Sequence, residues 1–65
     1  MPTLNLTLPK SLWSKDEKAQ IAEALTDGLN AVAQTSGKGD IRQHINVQIV
    51  ETAEGGYALG GKILA

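Results

Sequence analysis

An amine of suitable pKa can act as a base without a catalytic partner, and the second residue of this chain can become one. Removal of an initiator Met1 ahead of the small Pro2 leaves a free secondary amine at position 2. Every other proline nitrogen is an amide and has no useful basicity. An α-amino group titrates at about 7.7–8.0, and desolvation or nearby cations lower that value by disfavouring the charged form. Pro2 so processed would be a general base poised near neutrality. The common alternatives are missing. There is no Cys and a single His, His44, which removes thiolate catalysis, Cys-based zinc sites and any pair of imidazoles for a metal. Gly60-Gly61-Lys62 lacks the spacing of a phosphate loop, and no G-x-S-x-G is present. The chemistry expected is therefore free of metal and cofactor.

The elements that must position Pro2 are legible from periodicity. Thr3 to Leu8 alternates, with Leu4, Leu6 and Leu8 on one face and Thr3, Asn5 and Thr7 on the other, which predicts a half-buried strand ending before Pro9. Lys10 to Trp13 reads as a loop. Ser14-x-x-Glu17 is a capping box that starts a helix, and Asp16 and Glu17 suit the positive end of its dipole. Ile21, Leu25, Leu29 and Val32 recur at helical spacing and predict the packing face, with Ala22 and Ala33 widening it. Gly28 within that pattern predicts close approach to the sheet or to another subunit. Ser36 to Asp40 supplies a stop and a turn, and Asp40 is expected to cap a short turn through Ile41 to Gln43.

A second strand is expected from Ile45 to Glu51, with Ile45, Val47 and Ile49 on its apolar face. A strand, a helix of about twenty residues and a second strand form a β-α-β unit with parallel strands. The glycine-rich tail, Gly55-Gly56-Tyr57-Ala58-Leu59-Gly60-Gly61, predicts a hairpin reaching toward a neighbour. The expected fold class is thus α/β, in one domain covering residues 1–65.

Composition bounds the rest. A chain of 65 residues with 42% apolar residues, one Trp, one Tyr and no Phe has little with which to build a core. Small domains rely on disulfides, a metal or oligomerisation, and here only oligomerisation is open. Six basic residues against seven acidic, without a basic run, argue against a nucleic-acid partner. No apolar stretch has the length of a membrane span, and the N-terminus lacks the layout of a signal peptide. The expectation is a cytoplasmic protein without a membrane partner.

Taken together, Pro2 heading an alternating strand, the helix start Ser14-Lys15-Asp16-Glu17-Lys18, the strand ending Val47-Gln48-Ile49-Val50-Glu51 and the Gly55–Gly61 tail resemble the small subunits of the 4-oxalocrotonate tautomerase family. The resemblance spans nearly the whole chain. It implies two subunits pairing into a four-stranded sheet and three such dimers forming a homohexamer. It also implies an isomerase in which Pro2 moves a proton between carbons of a 2-hydroxydienoate or related enol acid. Two arginines assist in the best-known members, and their places here fall on Trp13, with Lys10 nearby, and on Asn46. Neither guanidinium is present. A neutral amide binds carboxylate more weakly than a bidentate charged fork.

Tyr57 falls where the family has a hydrophobic wall residue beside the proline, and it serves either as that wall or in packing. His44, two residues before Asn46, either supplies a switchable cation to the pocket or is a solvated strand-end residue. Trp13 either lines the pocket or covers an oligomer seam. Arg42 is expected at the surface or an interface. Two other activities are open: hydration or hydrolytic dehalogenation with a protonated Pro2 as acid, and a hetero-oligomer whose second chain supplies the missing arginines.

Overall fold

The structure is a computed structural model describing residues 1–65. Its elements are β1 (Thr3–Leu8), α1 (Lys15–Thr35), a single 3₁₀ turn (Arg42–His44), β2 (Asn46–Glu51) and two short strands, β3 (Ala58–Leu59) and β4 (Lys62–Ile63). β1 and β2 pair in parallel, in a register that sets Thr3 opposite Asn46, Leu6 opposite Ile49 and Leu8 opposite Glu51. The expected β-α-β order and parallel pairing are both present.

Helix α1 starts where its capping chemistry dictates. Ser14 Oγ accepts from the Glu17 N–H at 3.1 Å, and Glu17 Oε1 accepts from the Ser14 N–H at 2.8 Å. It ends in a Schellman motif: the Lys38 N–H donates to the Ala33 carbonyl at 2.9 Å and the Gly37 N–H to the Gln34 carbonyl at 3.3 Å. Gly37 sits at φ 79°, the left-handed conformation this stop needs.

The core lies between the Leu4, Leu6, Leu8, Val47 and Ile49 face of the sheet and one side of α1. That side differs from the stripe expected. Ala22, Thr26, Leu29 and Ala33 lie on it, with Ile21 partly covered, whereas Leu25 and Val32 remain 36% and 60% exposed. The helix is thus rotated about its axis, so that small residues can come close to the thin two-stranded sheet. Thr26 satisfies its hydroxyl by donating to the Ala22 carbonyl at 2.8 Å. Gly28 makes no close approach within the chain, since a side chain there would have no neighbour within 4 Å. At the far end of the sheet Lys18 Nζ pairs with Glu51 Oε1 at 3.1 Å, tying the first turns of α1 to the end of β2.

β3 and β4 form an antiparallel hairpin with Ala58 opposite Ile63. Gly60 and Gly61, at φ 58° and 84°, supply the two left-handed residues that a two-residue hairpin turn requires. This hairpin is a separate two-stranded sheet, not joined to β1 or β2.

Only Leu8 and Ala33 are buried. The chain exposes 4823 Å², whereas a compact chain of 6.8 kDa would expose about 3,950 Å². Its radius of gyration is 14.7 Å, with extents of 44 × 25 × 16 Å, against about 10.7 Å for a compact chain of this length. The excess surface is apolar in part: Leu12, Val50, Leu59, Ile63 and Leu64 are each more than half exposed. No helix is long and apolar enough to cross a membrane.

Candidate functional site

Pro2 immediately precedes β1, and its carbonyl accepts the Asn46 N–H at 2.9 Å, the first rung of the parallel ladder. This bond brings together two positions far apart in sequence. Asn46 lies opposite Thr3 and shares its face, the one turned away from α1, because strand residues alternate and those paired across a ladder point the same way. That face carries Thr3, Asn5 and Thr7 on β1 and Asn46, Gln48 and Val50 on β2, all exposed. It is polar at the Pro2 end and becomes apolar only at Val50.

His44 is close to this end but is not on a strand. β2 begins at Asn46 rather than Ile45, and His44 closes the 3₁₀ turn by donating its N–H to the Ile41 carbonyl at 2.8 Å. His44, two residues before Asn46, therefore does not share a strand face with it. Its side chain is exposed beside the start of β2.

Trp13 and Tyr57 belong to the other end. β1 separates its two ends by about 20 Å, and Trp13 follows it, in the loop beyond Leu8, at 41% exposure. Lys10 lies in the same loop, next to Ser11, which adopts a left-handed φ of 64°. Tyr57 follows the end of β2, which lies at the Leu8 end of the sheet, where the Thr52 N–H donates to the Leu8 carbonyl at 3.0 Å. Half-buried, it anchors the base of the hairpin, its carbonyl accepting the Leu64 N–H at 2.8 Å. The chain thus gathers Pro2, Asn46 and His44 at one end of the sheet and Trp13, Lys10 and Tyr57 at the other.

Comparison with family models, with curated proteins and with solved structures finds no match for this chain.

Arg42, the sole arginine, is engaged elsewhere: its guanidinium pairs with Asp27 on α1. Around it lies a polar cluster that residue patterns did not reveal. Asn30 Nδ2 donates to Asp40 Oδ1 at 3.0 Å, and Asn30 Oδ1 accepts the Ile41 N–H at 2.8 Å. Asp40 Oδ1 also accepts the Arg42 N–H at 3.1 Å. These hydrogen bonds, the Arg42 N–H first and the Asn30 amide second, hold the Asp40 carboxyl below the usual aspartate range. Asp40 thus bonds the chain two residues on, while the 3₁₀ turn itself begins after Ile41 and has no side-chain cap. The available signal was Asn30 itself, an unfavourable residue for a helix interior unless its amide has a partner elsewhere.

Proposed function

We propose that this chain is a cytoplasmic enzyme of the 4-oxalocrotonate tautomerase type, in which Pro2, freed by loss of Met1, is a general base acting on a 2-hydroxydienoate or related enol acid. The amine takes a proton at one position of the conjugated acid and returns it at another. The observation that carries this reading is the setting of Pro2. Its carbonyl is held in the first rung of the ladder, so the residue is fixed at the head of β1 through its carbonyl side. Met1 is 92% exposed, so its loss takes nothing from the packing.

The same reading explains the excess apolar surface as subunit interface. Antiparallel pairing of two copies along the free edges of β1 makes a four-stranded sheet, and it sets Pro2 of each copy near the Leu8 end of the other. Trp13 and Tyr57 then complete a pocket that one subunit leaves divided. Three such dimers would form a homohexamer, with the exposed hairpin reaching across to a neighbour. In this arrangement Asn46 binds the substrate carboxylate through a neutral amide, Tyr57 and Trp13 exclude water, and His44 adds a cation when protonated.

One observation favours a second reading. With Arg42 paired to Asp27, the one guanidinium of the chain is not free to act on Pro2. Fewer cations leave more of the amine protonated at neutral pH. A protonated Pro2 suits an acid role, in hydration or hydrolytic dehalogenation of an activated alkene, unless a second type of chain supplies the arginines.

The test is ketonisation of a panel of mono- and dicarboxylate enols by Met1-processed protein beside Pro2→Ala, with folding followed by circular dichroism. Activity lost in the folded variant supports the tautomerase reading. Activity retained in the variant overturns it, and no activity in either protein directs the search to hydration, dehalogenation or a partner chain.

A further inference from the structure

An asparagine in the middle of a helix competes poorly with the residues around it, because its amide can bond the backbone in other conformations. Asn30 resolves the conflict by placing both ends of its amide outside the helix, on the Asp40 carboxylate and on the Ile41 N–H. Asp27, one turn earlier on the same side, holds the Arg42 guanidinium. Two successive turns of α1 thus grip the segment from Asp40 to Arg42. Of the two grips, the amide holds through its part-buried bond to the Ile41 N–H, whereas the ion pair is exposed and screened.

From Arg42 the chain reaches β2 in a single turn. The His44 N–H donates to the Ile41 carbonyl and the Ile45 N–H to the Arg42 carbonyl, at 2.8 and 3.3 Å. The next residue is Asn46, whose N–H holds the Pro2 carbonyl. A shift at Ile41 therefore passes through one turn to the bond that fixes Pro2.

We propose that Asn30 and Asp40 form a latch that positions Pro2: by pinning Ile41 and Arg42 to α1, they set where β2 begins and hold the Asn46 rung against the Pro2 carbonyl. Both are positioning residues with no contact to substrate. The inference rests on the reading of Pro2 as the reactive amine, but its structural content does not depend on which reaction Pro2 performs.

The test compares wild type, Asn30→Asp and the exchanged pair Asn30→Asp/Asp40→Asn. The single change sets two carboxylates against each other and removes the donor. The exchanged pair restores the latch with its roles reversed, the carboxylate at position 30 accepting from the Ile41 N–H and from the new amide at position 40. The readout is amide hydrogen exchange at Asn46, beside that at Thr52, whose N–H bonds the Leu8 carbonyl at the other end of the ladder. Loss of a hydrogen bond with its partner left in place predicts exchange at Asn46 about ten times faster in the single variant. Exchange at Thr52 should change less than about twofold, and the exchanged pair should return Asn46 to the wild-type rate.

Unchanged exchange at Asn46, equal acceleration at both ends, or failure of the exchanged pair to restore it would each overturn the latch. With an enol substrate, kcat should fall with the single variant and recover with the pair. An inactive wild type with the expected exchange pattern would sink the proposed function and leave the latch standing. A kcat that ignores the latch would overturn its role at Pro2.

Discussion

The Asn46 N–H donates to the Pro2 carbonyl at 2.9 Å, so the residue that heads β1 is held by the residue that opens β2. Parallel pairing produces this relationship directly, because it gathers the N-terminal ends of both strands on one side of the sheet. Backbone and side chain at position 46 have separate tasks. The N–H holds Pro2, and the amide lies on the exposed face beside Thr3.

That separation makes position 46 a clean site for substitution. Asn46→Arg keeps the backbone rung and supplies a bidentate cation on the open face. We expect KM for a dicarboxylate enol to fall about tenfold, the size of one charge-assisted bond of roughly 1.5 kcal/mol, with little change for a monocarboxylate. Steady-state kinetics on both substrates checks this. An equal change for the two would place the side chain away from the second carboxylate.

Assembly should depend on the hairpin. Leu59 and Ile63 are 70% and 62% exposed in the single chain, and a lysine introduced at an apolar interface must be desolvated without a partner. Leu59→Lys is expected to shift the protein toward smaller species in sedimentation velocity, relative to an oligomer of 6.8 kDa subunits. A wild-type protein that sediments as a monomer would overturn the subunit-pairing model.

Subunit sharing gives a separate outcome. Pro2→Ala and Tyr57→Ala oligomers, each inactive alone, should regain activity when unfolded and refolded together. Random pairing places both native residues in about a quarter of the sites of a symmetric dimer. Activity no higher than that of the parent variants would mean that Pro2 and Tyr57 of different subunits do not meet.

Acid should weaken the latch. The Arg42 N–H and the Asn30 amide lower the Asp40 pKa in the folded chain, so the unfolded state binds its proton more tightly. The stabilisation is complete above the ordinary value of 3.8 and is lost as pH falls through the lower folded value. Charges around the group are those of Arg42, which favours the carboxylate, and of Asp27, which is paired with Arg42. Urea midpoints followed from neutral to acid pH should fall less steeply for Asp40→Asn than for wild type.

The capping box makes a local prediction. Ser14→Ala removes the acceptor for the Glu17 N–H and should cost about 1 kcal/mol, seen as a lower midpoint in urea with circular dichroism at neutral pH. Ser14→Asp keeps the acceptor and should lie close to wild type.

Much of this architecture is decided within a few residues of chain. Alternation defined β1 from Thr3 to Leu8, Ser14 and Glu17 defined the start of α1, Gly37 its end, and Gly60-Gly61 the hairpin turn. Each depends on hydrogen bonds or side-chain parity between near neighbours, which a linear pattern records. The rotation of α1 was not legible: Leu25 and Val32 fit a helical stripe as well as Ala22 and Ala33 do, and only packing against a thin sheet selects the smaller residues. The Asn30–Asp40 latch was hidden for the same reason, since its partners meet only after the chain has turned back on the helix. Likewise, the sequence reading set Tyr57 beside the proline and grouped Asn46, His44 and Trp13 with it as pocket candidates, without saying which would be neighbours within one chain. The parallel register decided that: it set Pro2 and Asn46 together and carried Trp13 and Tyr57 to the opposite end, because strands running the same way share their beginnings and their ends.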